Sequence, residues 1–291
     1  MSPAPIKKAV ILTAGLGSRF LPMTKAIPKA MLPIIDKPIV QYLVEEAISA
    51  GIEEIIFVTG PGQEAIREHF SPSPSLVEEL HSRGKSDLVE KIEAMEKMAH
   101  FTYLVQNEPK GDGHAILCAK ELLKNGPFAV LFGDEIVDHP VSALKQMLSL
   151  YEQGACPVLC TQSIPLEHSA SYGMIAPGKI QGRHLEIQGL VEKPQPKDAP
   201  STYAVIGKYI CTAEVLTHIE QGSAGHLDGE MRLIDGFRNM LEQGKSLLAY
   251  EVEGERYDTG NRLGLLKASI AFSMKDPNLK AELQNTLREF L

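Results

Sequence analysis

The sequence predicts an α/β fold in which a mostly parallel sheet is covered by helices on both faces. Two observations carry this expectation. Short β-rich apolar runs alternate along the chain with helical patterns. With 291 residues, 44% of them hydrophobic and 23% charged, the chain is long and apolar enough to build a sizeable core.

The first strand is expected at Ala9 to Thr13 and runs into the loop Ala14-Gly-Leu-Gly-Ser-Arg-Phe20. A helix follows, because Ile39, Val40, Leu43, Val44, Ala47 and Ile48 form an i, i+3, i+4 stripe that leaves Glu45 and Glu46 outside. Gly51 stands where a left-handed residue commonly ends a helix. The second strand is Ile55 to Thr59. Ser71-Pro-Ser-Pro-Ser75 then breaks the pattern and enters a charged helical excursion from Leu76 to about His100, whose charges read as a solvated face. Strands at Phe101 to Val105 and Phe128 to Phe132 complete the first half. The second half is richer in β-type runs, at Glu186 to Val191, Val205 to Ile210 and Leu247 to Val252, and ends in helical patterns at Asn261 to Phe272 and Pro277 to Leu291. The coarse plan is a first half over 1–140, a second half over 141–260 and C-terminal helices over 261–291, all within one continuous domain.

The formal charge of −8 gives no global basic field to draw the protein to nucleic acid or an anionic membrane, so any polyphosphate must be held by a local cationic site. Cys118, Cys156, Cys160 and Cys211 lack paired zinc spacing, which fits a reducing compartment. The first apolar run is too short for a signal peptide or a membrane span, so a cytoplasmic location is expected.

Gly15 and Gly17 follow the first strand directly, where open α/β sheets bind ligands, and glycines there let backbone N–H groups approach phosphate oxygens. Two familiar glycine loops can be set aside. A dinucleotide fingerprint wants a third Gly where Phe20 stands and an acid where the second strand closes on Thr59-Gly60. A P-loop wants Gly-Lys-Ser/Thr after four spacers, and none follows either glycine. What remains is a glycine loop carrying two cations ten residues apart, Arg19 and Lys29, with Pro22, Pro28 and Pro33 stiffening the segment. Ordinary exposed surface cations are the plain alternative for each taken alone.

The run from Gly15 to Pro38, GLGSRFLPMTKAIPKAMLPIIDKP, resembles the signature of sugar-1-phosphate nucleotidyltransferases, and among them the bacterial glucose-1-phosphate uridylyltransferases. The similarity continues in order through 106–115, Gly133-Asp134, Ser171-Tyr-Gly173, Val191-Glu-Lys-Pro194, Val205-Ile-Gly207 and Tyr257-Asp-Thr-Gly-Asn261. The resemblance implies a nucleotide-diphospho-sugar transferase fold, a Rossmann-like mixed sheet with a smaller β-rich sugar-binding part. It implies UTP and glucose 1-phosphate as substrates, Mg2+ as cofactor and a homodimer or homotetramer with the C-terminal helices as candidate contacts. By the same resemblance Arg19 grips the leaving pyrophosphate and Lys29 the phosphates at the reacting centre, while Asp134 and Asp258 hold Mg2+. Gln106 matches the residue that reads the uracil edge, with the backbone at Ala14, Gly15 and Gly113 completing the pocket. Glu192 matches the group that binds sugar hydroxyls, Lys193 the one that pairs with the sugar phosphate, and Gly173 and Gly207 line the sugar site.

These residue types suit the chemistry. Nucleotidyl transfer demands positioning and charge neutralisation more than a protein nucleophile, because the two substrates bring together about six negative charges. Mg2+ takes oxygen ligands and keeps several waters, so two carboxylates plus substrate phosphates suffice. Turn and cap roles are the plain alternatives for Asp134 and for Asp258-Thr259-Gly260. Adjacent strand residues face opposite ways, so Glu192 and Lys193 can line one site only if the strand breaks there, which Pro194 favours. His114 is expected to cap or pack at a helix start rather than to transfer protons. Departures from the pattern are Ala30 in place of Glu, Asp112 in place of an apolar residue and Met231-Arg232-Leu233 in place of Ile-Gln-Leu. None removes a proposed contact. They leave a dTTP- or ATP-using relative, or a non-catalytic regulatory one, as the alternatives.

Overall fold

In the computed structural model, residues 3–222 and 229–290 are described. The strands in chain order are β1 (Lys8–Leu12), β2 (Pro33–Ile34), β3 (Lys37–Pro38), β4 (Glu54–Thr59), β5 (His100–Val105), β6 (Phe128–Phe132) and β7 (Glu135–Asp138). They continue with β8 (Val158–Ser163), β9 (Gly173–Gln181), β10 (His184–Glu192), β11 (Tyr203–Cys211), β12 (Leu248–Glu251) and β13 (Glu255–Asp258). The helices are α1 (Ile39–Ser49), α2 (Ala65–Phe70), α3 (Pro74–Ser82), α4 (Ser86–Glu96), α5 (Asp112–Cys118) and α6 (Lys120–Leu123). After these come α7 (Ala143–Gly154), α8 (Glu214–Gly222), α9 (Leu233–Glu242), α10 (Arg262–Ser273) and α11 (Lys280–Glu289).

Nine strands form one sheet in the order β5-β4-β1-β6-β11-β8-β12-β10-β9. The first four pair in parallel, as the alternating apolar runs require. Beyond β6 the sheet is mixed: β11 runs against both β6 and β8, and β10 against both β12 and β9, while β12 and β8 are parallel. Antiparallel entry is possible there because β9 and β10 are joined directly through the 181–184 turn, with no crossover helix between them.

Successive strand residues feed opposite cores. Ala9, Ile11, Ile55, Phe57, Ala129 and Leu131 pack with the α1 and α7 side, whereas Val10, Ile56, Val58, Phe128 and Val130 pack with α5, α8 and α9. The α1 stripe Ile39, Val40, Leu43, Val44 and Ala47 is fully buried, and Gly51 closes the helix at φ +89°. The Ser-Pro stretch does initiate a helix, with Pro74 in the first turn of α3, but the charged excursion is two helices rather than one. Gly84, at φ +69°, breaks it. A short ribbon of β7 with β13 stands off the main sheet, in register Asp258↔Glu135, and packs through Ile136 and Tyr257 against α10. No helix among the described residues is long and apolar enough to cross a membrane.

Candidate active site

Two cavities open along the strand edge and share one wall. The larger, about 410 Å³, is lined by the glycine loop from Thr13 to Ser18 together with Lys29, Gln106, Gly111 and Ala115. The smaller, about 230 Å³, is lined by Arg19, Tyr172, Gly173, Glu192, Lys193, Gly207, Arg232 and Asp258. Asp112, Phe132 and Asp134 border both.

The glycine loop leaves β1 at Thr13, whose N–H and hydroxyl both donate to the Val58 carbonyl, at 2.9 and 3.1 Å. Gly17 is left-handed at φ +61°, and a Cβ there would stand 2.9 Å from Thr24 Cγ2. Thr24 closes the turn by donating to the Gly17 carbonyl at 2.8 Å. Gly15 is different, since a Cβ there would meet nothing within 4 Å. Packing does not explain Gly15, whereas open backbone facing a ligand does.

Gln106 is 6% exposed, and its amide nitrogen donates to the Gly111 carbonyl at 2.9 Å and to His114 Nδ1 at 3.0 Å. That fixes the amide plane and leaves its oxygen as the acceptor toward the cavity. His114 therefore works in the first turn of α5, orienting Gln106. Gly113 does not border the cavity. Its N–H donates to the Met231 carbonyl at 2.9 Å, and a Cβ would stand 2.9 Å from the same oxygen, so this glycine allows a close crossing behind the wall.

Asp134 and Asp258 converge although they are far apart in sequence. Thr259 donates to the Asp134 carbonyl through its N–H and its hydroxyl, each at 2.8 Å, which stitches the end of β13 to the turn after β6. Gly260 lies between the two carboxylates. A Cβ there would run into Asp134 Oδ2 and stand 2.9 Å from Asp258 Oδ1, which accepts the Gly260 N–H at 2.9 Å, so only glycine lets the two carboxylates approach each other across this turn. Two neighbouring carboxylates offer the hard oxygen donors that a divalent cation takes. Among the described residues no group of three or more His, Cys, Asp or Glu could hold a metal, so a cation taken by these two carboxylates would need further oxygen ligands from phosphate or water. Lys29 Nζ lies 2.5 Å from Asp134 Oδ2, placing a cation at the boundary of the two cavities.

On the other side, β10 ends at Glu192 and the backbone turns left-handed at Lys193, φ +46°. The break allows both side chains to line one cavity, with Lys193 Nζ 3.1 Å from Glu192 Oε1. Gly173 pairs with Glu192, and a Cβ on it would stand 3.2 Å from Glu192 Oε2 and 2.5 Å from Ile234 Cδ1. Gly207 is enforced by packing, since its Cβ would be 2.6 Å from Phe132 Cβ. Arg19 borders this cavity rather than the glycine-loop one, and Arg262 reaches its carbonyl at 3.0 Å.

The nucleotidyl transferase family profile matches residues 8–274, nearly the whole of this chain. The chain belongs to the nucleotidyl transferase family. Within it, the chain is similar to the UTP–glucose-1-phosphate uridylyltransferase of Bacillus subtilis, 42% identical over 96% of this chain and 94% of that one. It is 44% identical to the enzyme of that name from Staphylococcus haemolyticus, over 98% of both chains. A UTP-bound UGPase from Acinetobacter baumannii superposes with a TM-score of 0.90 at 33% identity, covering 98% of this chain and 100% of that one.

As a nucleotidyl transferase, the chain also contains supporting residues that its motifs do not announce. Glu135, beside Asp134, takes a two-point ion pair from Arg256 at 2.6 and 2.7 Å, and Arg256 lies over the Tyr172 ring. Burial pushes the Glu135 carboxyl up, and the Arg256 partner opposes it. Lys208, with no exposed surface, bonds Glu46 at 2.7 Å and the Glu135 carbonyl at 2.8 Å. Partners more than 100 residues apart leave no local signal in sequence.

Proposed function

We propose that the chain forms UDP-glucose and pyrophosphate from UTP and glucose 1-phosphate. The observation that carries this reading is the shared wall: one cavity of nucleotide character and one of sugar character meet at Asp134, where two carboxylates and Lys29 converge.

The uracil edge meets the Gln106 amide oxygen, which accepts its imide N–H, while the backbone of Ala14 and Gly15 bounds the base and Gly17 shapes the loop. Gly113 contributes by letting α5 sit close behind that wall. The glucose hydroxyls face Glu192 in the space kept by Gly173 and Gly207. Lys193 pairs with the sugar phosphate. Its oxygen attacks the α-phosphorus in line, the bond from that phosphorus to the β-phosphate bridge breaks, and pyrophosphate leaves past Arg19. Asp134 and Asp258 would hold Mg2+, which would supply neutralisation of the phosphate charge. Lys29 exchanges its Asp134 contact for phosphate oxygens. The low demand for proton transfer agrees with the absence of His114 from this set.

The imide edge read by Gln106 is common to uracil and thymine, so discrimination against dTTP must come from room near C5 or from contacts to the ribose 2′-hydroxyl that dTTP lacks, whereas adenine offers a different edge. The 42% and 44% identities to uridylyltransferases favour UTP. The test is pyrophosphate release from glucose 1-phosphate with UTP, dTTP and ATP in turn, with Mg2+. UTP should be used best, and faster turnover of dTTP or ATP would overturn the base assignment. A cytoplasmic location and a homodimer or homotetramer complete the reading. Leu263 and Leu266 of α10, 60% and 56% exposed, support a contact through the C-terminal helices.

A further inference from the structure

One carboxylate serves the N-termini of two helices that face different cavities. Asp112 opens α5, beside the glycine-loop cavity, and its Oδ1 accepts the N–H of Leu233, the first residue of α9, at 2.7 Å. The N-cap position of α9 is Arg232, whose own side chain makes no cap bond, so the cap is supplied from 121 residues away. Two backbone bonds lie beside it: Met231 N–H to the Lys110 carbonyl at 2.8 Å and Gly113 N–H to the Met231 carbonyl at 2.9 Å. The 110–113 loop and the 231–233 segment are thereby laced into one seam. Arg232 and Ile234 project from that seam into the smaller cavity, and Ile234 occupies the space that a Cβ on Gly173 would fill.

We propose that Asp112 is a positioning residue that sets the sugar-phosphate wall from the nucleotide side, by fixing the N-terminus of α9 against the loop that borders the nucleotide. The proposal rests on the functional reading above, which places the sugar at Gly173 and Glu192. A negative charge between two helix N-termini is favourably placed for both dipoles, and Asp112 Oδ1 takes up the first N–H of α9.

The experiment compares Asp112→Ala, Asp112→Asn and Asp112→Leu in initial-rate assays that vary glucose 1-phosphate at saturating UTP and UTP at saturating glucose 1-phosphate. Asn keeps an oxygen for the Leu233 N–H, whereas Ala and Leu do not. Ala and Leu should raise KM for glucose 1-phosphate roughly tenfold, about 1.4 kcal/mol, with KM for UTP within about twofold. Asn should restore the sugar phosphate KM to within about threefold of the parent. Equal values for Ala and the parent, equal defects in Ala and Asn, or a larger change in KM for UTP would each overturn the proposal. Should Ala fail to fold, Leu carries the same comparison. A parent enzyme that turns over no glucose 1-phosphate would sink the functional reading instead, and thermal stabilisation by UDP-glucose, ranked across the variants, reads the wall independently of turnover.

Discussion

The two cavities are built by different means. The larger cavity is built around a glycine loop that leaves β1 and a buried glutamine with its amide plane fixed, backed by a close helix crossing at Gly113. The smaller cavity gathers charged side chains from four separated segments, Arg19, Glu192 with Lys193, Arg232 and Asp258, where the sheet turns mixed. A backbone site fixes shape and is insensitive to most side-chain changes, whereas a side-chain site can be altered one charge at a time. Asp134 belongs to both. Substitutions should therefore divide by side, and the shared wall should respond most.

The largest effect is expected at that wall. Asp134→Asn removes one of the two carboxylate charges around Gly260, and turnover should fall on the order of a hundredfold to a thousandfold. The Asn is nearly isosteric, so circular dichroism and the melting temperature should stay close to the parent. A near-normal rate of pyrophosphate release would remove Asp134 from the metal role. Next in size is Lys193→Ala, which breaks the comparison on the sugar side alone. One charge-assisted phosphate contact is worth about 1.5–3 kcal/mol, so KM for glucose 1-phosphate should rise roughly tenfold to a hundredfold while KM for UTP stays within a few-fold. Equal changes in both would mean that the two cavities are not separate.

The glycine loop sharpens the comparison from the other side, because its two glycines are there for different reasons. Gly17→Ala forces a side chain into a left-handed backbone and against Thr24 Cγ2 at 2.9 Å, so it should cost about 1–2 kcal/mol of stability, read as a lower melting temperature. Gly15→Ala meets no neighbour within 4 Å and should leave the melting temperature unchanged, yet raise KM for UTP several-fold. If both variants lose stability alike, Gly15 is a structural glycine and the backbone description of the nucleotide cavity fails.

The same division marks what could be read in the sequence. The four parallel strands and the α1 stripe follow from local periodicity, and the structure places them within a residue or so of expectation. The left-handed break at Lys193 was legible because Pro194 and the opposed facing of Glu192 and Lys193 demanded it. The grouping of the motif residues was not legible: Arg19 borders the smaller cavity, and Gly113 lies behind the wall of the larger one rather than on it. The antiparallel entry of β11 and β10, the Glu135–Arg256 pair and the Lys208–Glu46 pair depend on contacts between distant segments, to which neither period nor spacing gives access. Asp112 stood out only as a departure, and its partner at Leu233 came from the fold.

The smallest effect concerns that residue and turns on pH. Burial raises the Asp112 carboxyl from its usual value to about 6, and Glu192 adds to the rise, while the N–H groups of Leu233 and Gly113 and the Arg232 guanidinium oppose it. A carboxyl raised on folding stabilises the native state at low pH, where it is protonated, and that contribution is lost as pH rises through about 6. Asp112→Asn cannot titrate and keeps its bond to Leu233. The melting temperature of this variant minus that of the parent should therefore grow by a few °C between pH 4 and pH 7, with most of the change between the ordinary carboxyl range and about 6 and little above it. Other titrating groups are common to both proteins and cancel in the difference. A flat difference would show that the two cavities hydrate this carboxylate well enough to keep it ordinary. A difference that falls with pH would mean that the paired helix N-termini outweigh burial, making the charged tie itself a stabilising contact.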